Sequence, residues 1–508
     1  MVERFTVSNP AHAGVRSAML PLAVALLLGH GTSHAQVAVD PGVRGGTVDA
    51  GRPLSGLSPG QISTFALALQ NFNTPRSVNG SATIAGTQEG LGPRYNSNSC
   101  GSCHSQPAIG GTSPSTTAFP FIGPNPQVAI ANLNGAVNQL PSFILSNGPV
   151  REARFRQVLA SAGSFESFFE RGSRVAADGG VHDLFTITGR TDATNQPGPT
   201  GALQTCSLTQ PDFATALRTN NISFRIPTPV FGAGLIESIS DATILANMAA
   251  NAGAKQGFRI SGRPNRNGND GTITKFGWKA QNATLLLFSG EAYSVEMGVS
   301  NELFSVERAN PGETLPSSCL FNQTPEDSSH VDFVVNGVVT PSADANSPYS
   351  DIQLFAIFME LLAPPTPSAT APGGAASIQR GQALFNSQLG CALCHTPTLM
   401  GSVSPFFNQG NTAAAAVNLF SDLLLHNMGE TLADGISQGL AGPNEFRSAP
   451  LWGLGQRVFF LHDGRTSDLV QVIQLHGGPG SEARIASEQF FGLSAIDQQN
   501  VLNFLRSL

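Results

Sequence analysis

Cys100, Cys103 and His104 fall within five residues of "SNSCGSCHSQ", and Cys391, Cys394 and His395 repeat the arrangement in "LGCALCHTPT". A thiol at i, a second at i+3 and an imidazole at i+4 lie along one helical turn and its neighbour. That spacing suits a flat macrocycle: the two thiols close thioethers on haem vinyl groups while the imidazole takes the iron. A zinc knuckle would gather four ligands in clustered pairs. A thioredoxin-like CxxC has no need of an adjacent histidine. Two copies in one chain therefore predict two covalently bound c-type haems.

A haem iron held by one histidine keeps an open face, and what fills that face decides between electron storage and chemistry on a small molecule. Near the second motif three histidines compete, His426, His462 and His476. In "TSDLVQVIQLHGG" a helix capped by Ser467 would set Leu469, Val472, Ile473 and His476 on one apolar stripe, which makes His476 the predicted ligand. His426 is the runner-up, with Met428 as a weaker thioether candidate. His462 stands in a turn with Asp463 and Arg465, better suited to propionate contacts or to the turn itself.

The elements that must position these groups are legible in outline. The first 35 residues read as a signal peptide, with Arg16 before an apolar run from Ala18 to Leu28 and small residues Ser33 and Ala35 before the cut. No stretch approaches the roughly 18 consecutive apolar residues of a membrane span. A periplasmic or secreted protein is expected. Four cysteines are claimed by haem, which leaves Cys206 and Cys319 as one disulfide or two buried thiols. Charged residues are 12% of the chain, Gly and Pro number 55 and 34, and the net charge of −7 contains no basic block. Long ordered loops follow from the first two counts, and nucleic acid is excluded as a partner by the last.

The Pro/Ala/Gly-rich stretch "APPTPSATAPGG", 363–374, follows an apolar helical run, Asp351 to Leu362. It divides an N-terminal haem domain with extended loops, 36–362, from a C-terminal cytochrome c domain, 375–508. In the second, "ASIQRGQALFNSQLGCALCH" reads as a helix entering the haem site. "SAIDQQNVLNFLRSL" reads as a closing helix capped by Ser494, with Asp497 three residues on and Val501, Leu505 and Leu508 on one face. "VDFVVNGVVTP" reads as a β-hairpin turning at Asn336-Gly337. The fold class is mainly α: two cytochrome c-type domains with long loops and a minor hairpin.

"GLGPRYNSNSCGSCH", "ISGRPNRNGNDGTITKFGWKA", "SDLLLHNMGETLADG", "APLWGLGQRVFFLHDGR" and "QLHGG" together resemble the dihaem oxidoreductases, a peroxidase-like group related to bacterial dihaem cytochrome c peroxidases and methylamine dehydrogenase maturation enzymes. The resemblance runs from about Leu91 onward. In the peroxidase relatives a methionine or tyrosine fourteen residues beyond the histidine of "HDG" fills the far side of the C-terminal haem; here that position is His476. "FGWKAQNATLLLFSGEAYSVEMG" is similar to the stretch where a tryptophan between the haems precedes a distal glutamate, which implies Trp278 as electron bridge and Glu296 as acid/base. The interval is slightly shorter, and the peroxidase glutamine between them has no clear equivalent. The resemblance also implies a calcium ion between the haems, near "RSAPLW".

These readings converge on an oxidoreductase whose N-terminal haem stays open for peroxide or dioxygen and whose C-terminal haem, with His395 and His476, exchanges electrons with a protein donor or acceptor. A haem dioxygenase of the rubber oxygenase type and a non-catalytic electron carrier are the alternatives.

Overall fold

Ser58 opens the first helix, α1 (Pro59–Asn73), by a reciprocal capping box with Gln61, and Pro59 occupies the first helical position. A computed structural model describes residues 37–45, 49–80, 90–113, 116–118, 121–158, 177–193, 196–197, 203–329, 333–335, 338–340, 349–403 and 415–508. The expected signal peptide lies outside the described residues. Ala38–Leu508 form one compact unit.

The first motif folds as the short α2 (Cys100–Cys103), capped by Ser99. Its wall is built by α1, α3 (Leu285–Met297) and α4 (Asp351–Leu361). Aromatic side chains pack them: Phe72 lies 4.6 Å from Phe358, and Tyr293 lies 5.1 Å from Phe355, ring centre to ring centre. At their junction Arg76 pairs with Asp351 at 2.6 Å, and the Tyr293 hydroxyl donates to the same carboxylate at 2.7 Å. α3 ends at Gly298, whose positive φ closes the helix. A Cβ there would meet the Arg94 carbonyl at 2.4 Å, so the glycine allows the "GLGPRY" segment to lie against the helix end. The backbone N–H groups of Asn96 and Ser97 then donate to the Glu296 carbonyl, fastening the approach to the first motif onto α3.

The second motif is positioned by two helices, α5 (Ala375–Ser387) and a closing helix, α7 (Ala495–Ser507). They cross where a Cβ on Gly381 would meet the Asn500 carbonyl at 2.0 Å, so the contact requires glycine. The Arg380 guanidinium forks onto Asp497 beside the crossing, at 2.8 and 2.9 Å. Ser494 caps α7 by accepting from the Asp497 N–H, and Val501, Leu505 and Leu508 are buried on one face, as their spacing predicts. Between these two helices in sequence lies α6 (Leu469–His476). Its cap is Asp468, one residue later than expected: the carboxylate accepts from the Val470 N–H and complements the helix dipole, while the Ser467 carbonyl accepts from Arg506. Arg506 also clasps Asp40, at 2.6 and 2.7 Å, and Asp40 accepts from the Leu469 N–H at 2.8 Å.

Among the described residues there are fourteen α-helices, and the β structure is dispersed over several small sheets rather than the one hairpin expected. That hairpin is present as Phe333–Val335 paired with Val338–Thr340. The largest sheet has β1 (Glu152–Phe155) between β2 (Val181–His182) and β3 (Ile222–Arg225). Cys206 and Cys319 form a disulfide across 113 residues. The 363–374 stretch is tied down, with Ala363 N–H donating to the Arg52 carbonyl and Ser368 N–H to the Ser507 carbonyl. No helix of the described residues is long and apolar enough to cross a membrane.

Candidate functional site

Two cavities open above the two motifs. The one at the second motif, about 220 Å³, is lined by Cys391, Cys394 and His395. The apolar stripe of α6, namely Leu469, Val472, Ile473 and His476, lines the same cavity, as do Val501 and Leu505 of α7. His395 Nδ1 is 3.0 Å from the Phe420 carbonyl, and His476 Nδ1 is 2.8 Å from the Val472 carbonyl. A carbonyl only accepts, so each Nδ1 carries the proton and each Nε2 keeps its lone pair, the state in which an imidazole ligates a metal. Burial keeps both rings neutral, His395 being pushed down to about 4 and His476 also lowered.

His426 lines this cavity too, but its ring is occupied. Nδ1 lies 2.8 Å from Glu482 and Nε2 3.0 Å from Asp422, and both partners are acceptors. Both nitrogens are therefore protonated, which leaves no lone pair for iron. Burial opposes this charge, but the Asp422 carboxylate beside the ring helps hold its pKa well above the ordinary value. Glu482, against its own burial, is held at about 2 by His426. His462 stacks on Phe446 at 4.4 Å, and burial pushes it down to about 4. Met428 is a further lining residue.

The cavity at the first motif, about 150 Å³, is lined by Cys100, Cys103 and His104, and His104 is the one histidine in its lining. His104 Nδ1 is 3.1 Å from the Gly111 carbonyl, the Thr228 backbone is a second partner of the ring, and burial pushes the ring down to about 4, which keeps it neutral. Glu296 lines this cavity from α3 and accepts from the Asn96 amide at 2.9 Å. Sheet register adds three residues that sequence reasoning missed. Glu152 and Arg154 stand on one face of β1, and Arg225 of β3 lies directly opposite Glu152; all three line the cavity. Gln281, in the "GWKAQ" stretch for which no peroxidase glutamine was expected, is a fourth.

Trp278 lines both cavities. Its Nε1 donates to the Ile226 carbonyl at 2.8 Å, and the Arg457 guanidinium lies 5.8 Å from its ring centre. Arg447 and Arg457, both deeply buried, line the C-terminal cavity, and burial lowers each to about 10.

These residues fit a haem in each cavity. Half-buried thiols stand beside a neutral histidine in each, and among the described residues two buried polar atoms, Arg457 Nη2 and Arg225 Nε, lack a partner in the protein and suit the carboxylates of such a group. Among the described residues no group of three His, Cys, Asp or Glu side chains is placed to hold a metal ion.

A family model described as "Di-haem oxidoreductase, putative peroxidase" matches residues 150–508, beginning after the first CxxCH. Among solved structures, a chain of Kuenenia stuttgartiensis hydrazine synthase pressurised with 20 bar xenon is 16% identical, with 31% of this chain and 55% of that chain covered, at a TM-score of 0.21. The match spans about half of that chain, and a likeness of this degree carries no argument about the fold. No curated protein matches.

Proposed function

The chain belongs to the di-haem oxidoreductase family, and from that premise we propose that it is an exported peroxidase-like enzyme with two covalently held c-type haems of unequal roles. The observation that carries the reading is the contrast between the histidines lining the two cavities. Besides His395, the lining of the C-terminal cavity includes a second neutral imidazole, His476. The N-terminal cavity has His104 alone and sets Glu296 among its lining.

Cys100 and Cys103, and Cys391 and Cys394, would hold the haems by thioethers, with Arg457 as a propionate partner in the C-terminal cavity. A bound haem supplies a redox-active coordination position for a small oxidant and a second site for an electron. His395 and His476 would both hold the C-terminal haem, which would reserve it for electron exchange with a partner protein. His104 leaves the N-terminal site accessible, where Glu296 moves protons for a peroxide and Trp278 links the two cavities. Carboxyl groups in the N-terminal cavity favour peroxide over the polymeric alkene of a rubber oxygenase, because cleaving an O–O bond demands proton transfer at both oxygens. The disulfide supports an oxidising, extracytoplasmic compartment.

Low-temperature electron paramagnetic resonance of the ferric protein tests this. One low-spin and one ligand-accessible signal are expected, and His476→Ala should convert the low-spin signal to high-spin. Two low-spin signals that neither His476→Ala nor peroxide alters would instead identify an electron carrier.

A further inference from the structure

Glu296 has a neighbour of the same charge. Glu152, on β1, and Glu296, on α3, both line the N-terminal cavity, and their carboxyl groups are in hydrogen-bonding contact. Two carboxylates cannot bond to each other, because each is an acceptor only, so the contact requires one proton between them. Geometry places that proton. Arg154 Nε donates to Glu152 at 2.6 Å, and Arg225 stands opposite Glu152 across the sheet. Glu296 receives only the neutral Asn96 amide, at 2.9 Å.

The electrostatics agree. Burial, then the Glu152 charge, holds Glu296 well above the ordinary carboxyl value. Against the upward pull of burial, Arg154 and Arg225 hold Glu152 below it. The charged groups around the pair are Arg154, Arg225 and Arg308 near Glu152, Cys103 near Glu296, Asp183 behind Asn96, and Glu291 toward Arg154.

We infer that Glu152 and Glu296 work as a one-proton carboxyl pair, Glu152 accepting a proton from one oxygen of a bound hydrogen peroxide and Glu296 donating one to the other. This rests on the peroxide reading above. As the O–O bond breaks, the oxygen protonated by Glu296 departs as water. The proton received by Glu152 crosses the carboxyl contact and restores Glu296. The second oxygen, reduced by two electrons from the protein donor, takes up two protons from solvent and leaves as the second water. The pair thus returns to its starting state each cycle.

The test uses the full haem-loaded protein and the variants Glu152→Gln, Glu152→Asp and Glu296→Gln. Infrared spectra across pH should show in the wild type a protonated carboxyl that persists above the ordinary range and is absent in Glu296→Gln. In Glu152→Gln, loss of the neighbouring negative charge should let that carboxyl ionise at lower pH; Glu152→Asp should restore the wild-type titration. Stopped-flow reaction with peroxide should give a bell-shaped pH profile in the wild type. Glu152→Gln should lose the acid limb and be slower by about 100-fold. Because Glu307, Glu326 and Glu360 are also raised by burial, the reading is the wild-type minus Glu296→Gln difference spectrum: no protonated-carboxyl band in it, or a titration and profile unchanged in Glu152→Gln, overturns the pair. Should Glu152→Gln fail to fold, as judged by haem content, Glu296→Gln and Glu152→Asp still decide. A wild type inert to peroxide would overturn the peroxide reading, while the infrared titration would still decide the pair.

Discussion

Replacing His426 with glutamine separates the two roles its imidazole competes for, ligand and ion-pair partner. The ring lies 2.8 Å from Glu482 and 3.0 Å from Asp422, and its side chain is 3% exposed. Removing one partner from a buried ion pair costs about 3–5 kcal/mol. Both carboxylates retain other donors: Asp422 accepts from Ser448 Oγ at 2.6 Å and Leu424 N–H at 3.0 Å, and Glu482 from Ser261 Oγ at 2.7 Å and Ser261 N–H at 3.0 Å. We therefore expect His426→Gln to lie at the lower end, about 3 kcal/mol, read as a shift of the urea midpoint at constant slope. The sign of its pH dependence follows from linkage. Glu482 is held near 2 against an ordinary 4.5, so its share is present above 4.5 and lost as pH falls through about 2. The share of His426, raised above its ordinary 6.5, is full below 6.5 and lost as pH rises through the raised value. The gap between variant and wild type should be widest between these limits. The low-spin signal of the C-terminal haem should persist throughout. A loss below about 1 kcal/mol, or disappearance of the low-spin signal, would refute the argument that both ring nitrogens are committed to carboxylates.

Trp278→Phe removes the N–H bond to the Ile226 carbonyl, a cost of about 1 kcal/mol, and should slow electron transfer between the haems after peroxide is added; an unchanged rate by stopped-flow absorbance would remove the indole from the route. Cys206→Ser opens a link spanning 113 residues and should cost about 2–5 kcal/mol, seen as a lower urea midpoint without reductant; coincident midpoints would count against the bond as a stabilising element.

What the sequence disclosed was the chemistry carried by short-range spacing. The two CxxCH motifs, the His476 stripe on α6 and the Ser494 cap depend on neighbours within two helical turns: the motifs fold as short helical turns, the stripe lines one cavity and Ser494 caps α7. Glu152, Arg154 and Arg225 were missed for a physical reason. "EARF" alternates charged and apolar residues, the pattern of a strand with one face in water, and nothing local distinguishes water from the interior of a cavity. His426 shows the complementary failure. Its commitment depends on Glu482, 56 residues away, a partner no local pattern could supply. Trp278 was nominated by resemblance, and only the tertiary fold sets its ring between two cavities.

The clasp between Asp40 and Arg506 joins residues 466 positions apart. The acidic half stands far ahead of the basic half along the chain, so closing the clasp draws together segments with nearly the whole described fold between them. Closing so long a loop carries a large entropic cost that only late contacts repay. Because Asp40 also receives the first N–H of α6, the helix that carries His476 gains its anchor only when these two segments have met. One side of the C-terminal cavity thereby depends on a contact of very long range.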